Sequence, residues 1–435
     1  MSKALRVAVV GAGWAGLAAA WRATTRGHAV TVFEMAPAVG GRARRLPEGA
    51  SPRAGLALDN GQHIMIGAYS ATLGLMKELG IDERAVLQRR PLTLLDARGH
   101  GLALPPGPAL VAFARGALAA RGWSVRERWA LLTCAGGWLV RGFRCDPAWT
   151  VARLTQDLPA TLRRRLIDPL CVAALNTPAE TASAQVFLRV LRDALFAGRG
   201  ASDLLLPRVD LGALLPDAAS ARLRERGATL RLSQRVHAID RQGQGWALDG
   251  DDFDAVLLAA AAGESARLAA SIAPDWSRRA ADLRHEPIVT VLLQAEAVHL
   301  PAPMVALDDG PEAPAQFLFD LGQLRDPARE PGAQGVLAAV ISGAAPWVER
   351  GLDATAAAVQ AQVASQVADW LDGPPALLRS FVEKRATFLC TPGLARAPMA
   401  IAARLLACGD HVEGPYPATI EGAVRSGLAA ADALC

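Results

Sequence analysis

The first forty residues constrain this chain more than any other stretch. Val7-Ala8-Val9-Val10 is an apolar run of strand character, and it meets Gly11-Ala12-Gly13-Trp14-Ala15-Gly16, a Gly-x-Gly-x-x-Gly turn. A helical stretch from Leu17 to about Arg26 follows, then a second apolar run from His28 to Phe33 that stops at Glu34. In a βαβ dinucleotide site each part has a physical job. Gly11 permits the tight turn out of the strand, Gly13 lets the backbone approach a pyrophosphate, and Gly16 lets the helix pack closely on the sheet. The backbone around Trp14 and Ala15 offers N–H groups and a partial positive charge to phosphate oxygens. Glu34 lies 18 residues beyond Gly16, where a carboxylate can accept from both ribose hydroxyls. An acid there argues against a 2′-phosphate, which leaves FAD and NAD.

The next residues separate the two. Val39-Gly40-Gly41-Arg42-Ala43-Arg44 resembles the second glycine box of the FAD-dependent amine oxidase and phytoene desaturase superfamily. The resemblance implies that Gly41 and Arg42 run along the flavin's pyrophosphate and ribityl chain. A second anchor lies at the far end, where an apolar strand ends in Cys408-Gly409-Asp410 and Ala418-Thr419 opens a helix. In the superfamily this acid hydrogen-bonds the ribityl or phosphate end, and the helix N-terminus faces the pyrimidine side of the flavin. Such a dipole favours an anionic reduced flavin by up to about 1–2 kcal/mol. Residues 228–262 read as β structure, and the resemblance implies that a backbone group near Val236 contacts the adenine. Cofactor binding is therefore expected at Gly11, Gly13, Trp14, Ala15, Gly16, Glu34, Gly41, Arg42, Gly61, Gln62, His63, Val236, Gly409, Asp410, Ala418 and Thr419, with FAD as the cofactor.

Leu58-Asp59-Asn60-Gly61-Gln62-His63-Ile64-Met65-Ile66 packs polar groups between apolar ones, just ahead of a helix from about Ser70 to Leu79. A solvated loop does not need the apolar residues, and a core seldom carries four polar side chains together, since each needs a partner. The mix suits a wall beside a flavin ring. It closely resembles the D-N-G-Q-H segment of the squalene-associated FAD-dependent desaturases, the hydroxysqualene dehydroxylases. A core role for His63 stands beside a flavin-proximal one.

Composition sets the bounds. The chain has 435 residues, 51% of them hydrophobic, enough for two domains. Its net charge of +4 gives nucleic-acid binding no support. Six scattered cysteines (Cys134, Cys145, Cys171, Cys390, Cys408, Cys435) lack metal-like spacing, so no metal is expected and reduced thiols in a cytoplasmic protein fit. A core strand beginning near residue 5 leaves no room for a signal peptide, and no uncharged apolar run reaches membrane-spanning length. The expected fold class is α/β: a discontinuous Rossmann-like FAD-binding domain (residues 1–75, 204–284 and 385–435) with an α+β substrate domain and helical cap (76–203 and 285–384). Within the cap, Ala109 to Phe143 reads as one or two helices in which arginines interleave with Trp123, Trp129 and Trp138. Such a pattern fits either an amphipathic surface resting on an anionic membrane or a helical cap with a solvated basic face. Asn176 in Asn176-Thr177-Pro178 is expected at a turn.

The resemblance covers essentially the whole chain and implies reductive dehydroxylation of hydroxysqualene to squalene, with a hydride from reduced FAD. That chemistry needs a dry apolar tunnel for a C30 isoprenoid and a positioned acid. Asp59, Gln62 and His63 are the candidates to assist hydroxyl departure. The expected location is cytoplasmic, with peripheral contact at the inner face of the membrane. A carotenoid or polyene desaturase and another amine-oxidase-type enzyme are the alternatives; the latter calls for a flavin-facing aromatic pair, for which the chain has only Tyr69 and Tyr416. A flavin-binding scaffold without turnover is the non-enzymatic alternative.

Overall fold

The computed structural model describes residues 4–196 and 198–434; Cys435 lies outside them. The first strand, β1 (Arg6–Val10), is apolar on both faces and buried from Val7 to Val10, as suits the middle of a parallel sheet covered on two sides. It pairs in parallel with β2 (Ala29–Phe33) on one side and with Ala255–Leu258 on the other. Thr229–Arg231 extends the sheet beyond β2, and Leu405–Ala407 extends it beyond Ala255–Leu258, both in parallel. Ala400–Ala402 closes that edge antiparallel. Strands from three distant parts of the chain thus build one six-stranded sheet.

Helix α1 (Trp14–Thr25) crosses from β1 to β2 and starts three residues earlier than the sequence pattern suggests. Gly16 therefore sits inside its first turn, where a Cβ would lie 1.9 Å from the Gly11 carbonyl oxygen; only glycine fits there. The C-terminal helix Ile420–Asp432 packs beside α1 over a core that includes Leu17, Leu257 and Val424. The 228–262 region is β-rich as expected, but Val236 precedes its strand, Ile239–Gln242, and lies in a loop.

A five-stranded antiparallel sheet forms the second layer. Its order is Met304–Ala306, Phe317–Asp320, Val336–Ile341, His285–Gln294, Ala376–Phe388. Helices dominate residues 109–196, and Ala109 to Phe143 forms two of them, Ala109–Ala119 and Val125–Val140. Ser124 and Glu127 make a reciprocal capping box at the start of the second. Their buried faces join Trp123, Trp138, Phe187 and Phe319 in one core. Asn176 ends the helix Asp168–Leu175 in the left-handed conformation. Its amide bonds Glu286 O and Thr387 Oγ1 and accepts from Gly343 N–H, so this turn residue ties the helical cap to the second sheet. The five described cysteines are all unbridged.

Candidate FAD and substrate site

The two glycine boxes meet. Gly40 N–H donates to Ala12 O at 2.8 Å, and Trp14 Nε1 donates to Ala43 O at 2.9 Å. The Trp14 indole is thus committed to the protein, and only its backbone remains for a ligand. Gly41 has φ +63°, and a Cβ on it would stand 3.0 Å from Gly13 Cα. The boxes approach as bare backbone, which a side chain would prevent. No side chain caps α1 at Gly13, so the first-turn N–H groups of Trp14, Ala15 and Gly16, which have no intrahelical partner, are available to an anion.

Glu34 is buried and already accepts from two backbone N–H groups, Ala12 at 2.7 Å and Ala36 at 2.8 Å. Each carboxylate oxygen accepts more than one hydrogen bond, so the group braces the glycine turn and retains capacity for ribose hydroxyls. Val236 is buried, and its carbonyl accepts from Arg267 at 2.8 Å. Its N–H has no partner among the described residues, which suits an adenine nitrogen.

Arg42 and Asp410 form an ion pair across 368 residues of sequence. Arg42 also donates to Ala386 O at 2.8 Å. Burial alone would raise the Asp410 carboxyl, but the Arg42 guanidinium overrides it and holds the group well below the usual carboxylate range. The Asp410 charge raises Arg42 in turn. Gly409 N–H donates to Ser426 Oγ at 2.9 Å, and His411 beside it is buried with Nε2 lacking a hydrogen-bond partner among the described residues. Thr419 caps the C-terminal helix by accepting Gly422 N–H at 2.9 Å; its carbonyl accepts Ala423 N–H at 3.0 Å, leaving its own N–H to face a ligand. Ala418 holds φ +56°, a costly left-handed conformation for a non-glycine residue. Glu421, one turn further, is 1% exposed and caps the helix Ser70–Glu78 through Ala71 and Thr72 N–H. The loop before the C-terminal helix and the helix after the D-N-G-Q-H segment are thereby fastened together.

Within that segment the side chains divide. Asp59 has 6% of its side chain exposed; Oδ1 accepts from Leu211 N–H and Oδ2 from Arg325 Nη2, both at 2.8 Å. Burial pushes its carboxyl up to about 6 despite those partners. Asn60 donates to Arg42 O and to Glu383. Gln62 is half-buried and makes no hydrogen bond among the described residues, so its amide is uncommitted. His63 Nδ1 lies 3.2 Å from Gly61 O. A carbonyl only accepts, so Nδ1 carries the proton and Nε2 of the neutral ring is an acceptor. Burial and the Arg42 charge lower its pKa. The ring is enclosed by protein, yet part of it remains accessible, as expected of a side chain lining a cavity. Tyr416 donates to Asp193 at 3.0 Å, and the Tyr69 hydroxyl is raised by burial.

Sequence reasoning missed Arg325, Glu421, Ser426 and His411. None lies in a local pattern that marks it; Arg325 and Glu421 matter because of the distant chain they meet, and Ser426 and His411 because they sit around Gly409 and Asp410. Among the described residues no group of three His, Cys, Asp or Glu side chains is placed to hold a metal ion, and no helix is long and apolar enough to cross a membrane.

Orphaned helix N–H groups, facing glycine backbones and a buried carboxylate at the second strand's tip fit a flavin dinucleotide. Comparison with known proteins agrees. A hydroxysqualene dehydroxylase of Sinorhizobium fredii is 27% identical, over 98% of this chain and 97% of that protein. One from Rhodopseudomonas palustris is 29% identical over 99% and 98% respectively. An oxidoreductase from Methanosarcina mazei has the same fold, with a TM-score of 0.75 at 16% identity, covering 98% of this chain and 100% of that one. Residues 14–435 match the family model for flavin-containing amine oxidoreductases, and the chain belongs to that family.

Proposed function

We propose that this protein is an FAD-dependent hydroxysqualene dehydroxylase, converting hydroxysqualene to squalene. The observation that carries the reading is end-to-end similarity to proteins of that name, in a chain whose D-N-G-Q-H segment is tied to Arg42 through Asn60. Residues 1–75, 204–284 and 385–435 serve as the cofactor-binding part, and 76–203 with 285–384 as the substrate part. FAD is held at the pyrophosphate by the α1 N-terminus, Gly13, Gly41 and Arg42, at the ribose by Glu34 and at the adenine by Val236 N–H. Gly409, Asp410 and the backbone of Ala418 and Thr419 hold the ribityl and flavin end, with Gly61, Gln62 and His63 beside the ring.

Bound reduced FAD supplies the hydride. The chain's own task is the hydroxyl: its C–O bond breaks as the oxygen takes a proton, drawn from solvent through the imidazolium form of His63, and leaves as water; the allylic cation would be quenched by the hydride. Gln62 can donate its amide to the hydroxyl oxygen. Neutral His63 accepts the hydroxyl proton at Nε2 and orients the group; only as imidazolium does it donate, and burial disfavours that form. Asp59, with both oxygens committed, takes a positioning role: it fixes the segment against Arg325 and Leu211. A C30 isoprenoid dissolves in membrane, so the protein acts peripherally at the inner face of the cytoplasmic membrane.

The test is anaerobic. Photoreduced protein is mixed with hydroxysqualene in detergent while flavin absorbance is followed and products are extracted. Reoxidation with squalene formed in equal amount is expected; a flavin that stays reduced, without squalene, refutes the assignment.

A further inference from the structure

Among the described residues ten large apolar side chains stand exposed, and eight of them lie between Leu110 and Trp149. The rest of the surface is nearly free of them, so this cluster is a feature of one region. On the helix Val125–Val140, Val125 (68% exposed), Trp129 (57%) and Val140 (88%) fall within one narrow stripe of the helical period, opposite buried Leu131, Ala135 and Trp138. On the neighbouring helix, exposed Val111 and Leu118 share one side, away from Phe113 and Ala117, and exposed Leu110 lies in the first turn. The helices are joined where Arg128 Nη1 donates to Leu118 O at 2.9 Å, so the end of one stripe meets the start of the other.

The charge in this region is one-sided. Residues 109–149 hold six arginines against Glu127 and Asp146, a balance of +4, which equals the net charge of the whole chain. Glu127 spends its carboxylate on the Ser124 N–H and hydroxyl. Arg115, Arg121, Arg126, Arg141 and Arg144 are exposed. Exposed apolar groups interleaved with cations complement an anionic bilayer: tryptophan and aliphatic side chains enter the acyl boundary while guanidinium groups remain with phosphates. Trp123, in the link between the two helices, lines a cleft of about 210 Å³ with Leu94, Leu166 and Phe317. Asp96, His100, Arg164, Arg165, Asp308 and Asp309 line it as well, so the cleft is polar as much as apolar.

We propose that the two helices form a docking surface for an anionic lipid bilayer. The bilayer-soluble substrate of this surface rests on the reading of function above; the docking itself does not.

The test uses FAD-loaded, full-length protein sedimented with vesicles of phosphatidylcholine mixed with phosphatidylglycerol, and with vesicles of phosphatidylcholine alone. Binding to the mixed vesicles that weakens with salt is expected. Replacing the stripe (Val125→Ser, Trp129→Ser and Val140→Ser together) should lower the partition coefficient about 100-fold. Arg126→Gln with Arg141→Gln should lower it about fivefold per arginine. These exposed sites lie outside the flavin site, so flavin content and turnover in detergent should match the parent. Failure of wild-type protein to sediment with mixed vesicles overturns the proposal. So does a dimer in solution that the triple substitution makes monomeric, which would assign the face to a second copy. Loss of detergent turnover in wild-type protein would instead strike the dehydroxylase reading and leave the docking result standing.

Discussion

Arg325 and Asp59 give the sharpest prediction. Their side chains are 2% and 6% exposed, with Nη2 2.8 Å from Oδ2. At an effective dielectric of 20 the gross attraction is about 6 kcal/mol, and the desolvation of both ions offsets most of it. The intact pair therefore adds little net stability, but breaking it leaves a buried charge alone. Arg325→Met, which keeps the volume, should destabilise the FAD-loaded protein by about 3–5 kcal/mol. For a chain of this length that is roughly 3–5 °C in Tm. In the Asp59→Asn background the same substitution should cost less, because only Glu330, 3.7 Å from Arg325 Nη1, then loses its partner. The pH dependence has a definite sign. Burial raises the Asp59 pKa to about 6 in the folded protein, above its unfolded value, so the folded state binds this proton more readily. The group's contribution to stability is therefore present at low pH and lost as pH rises through about 6. Without Arg325 the charged form is less favourable still, so the deficit of Arg325→Met should grow above pH 6 and shrink toward pH 5. Thermal unfolding of the four proteins of the cycle, at several pH values, measures this. An equal cost of Arg325→Met with and without Asp59, or a deficit that does not vary with pH, refutes the reasoning.

Glu34→Gln should weaken FAD binding by about 1.5–3 kcal/mol, the worth of hydrogen bonds to a charged group, as read by flavin fluorescence on titration of apoprotein. Asp410→Asn should loosen the flavin and flatten the acid limb of stability: its carboxyl is held below the usual range, so its contribution is full above the unfolded pKa and disappears as pH falls below it. Acid titration of flavin release compares the two proteins. His63→Gln should lower kcat about 100-fold or more with flavin content unchanged. In the parent the rate should rise as the ring protonates, below its ordinary 6.5, because the imidazolium donates the proton that the leaving oxygen needs, and that limb should be absent from the variant's pH profile.

Much of the fold and cofactor site was legible because the signals are local. A strand, a glycine turn, a helix and an acid within 34 residues define a βαβ unit whose geometry is set by neighbours in sequence. The helix start was misjudged by three residues because Trp14 and Ala15, between glycines, look like turn and are the first helical turn. Asp59 was legible as a notable polar residue but not in its role. Its partner Arg325 lies 266 residues away, and no motif surrounds it. Glu421 similarly reads as an ordinary first-turn acid, yet it caps a helix 350 residues earlier in the chain.

The sequence by itself therefore determined the dinucleotide fold, the glycine boxes, the acids at the strand tips and the family. Each follows from short-range periodicity and turn chemistry that the backbone must obey wherever it lies. Only the tertiary structure decided which of these groups remain available. It bound Asp59 to Arg325, Trp14 to Ala43 and Thr419 to its own helix, while leaving Gln62 uncommitted and His63 Nε2 an acceptor. The stripe on the Val125–Val140 helix was likewise settled by packing, because both faces carry tryptophan and only the fold decides that Trp138 is buried and Trp129 exposed. Availability depends on burial and on the partner that burial requires, and that partner comes from whatever part of the chain the fold brings alongside.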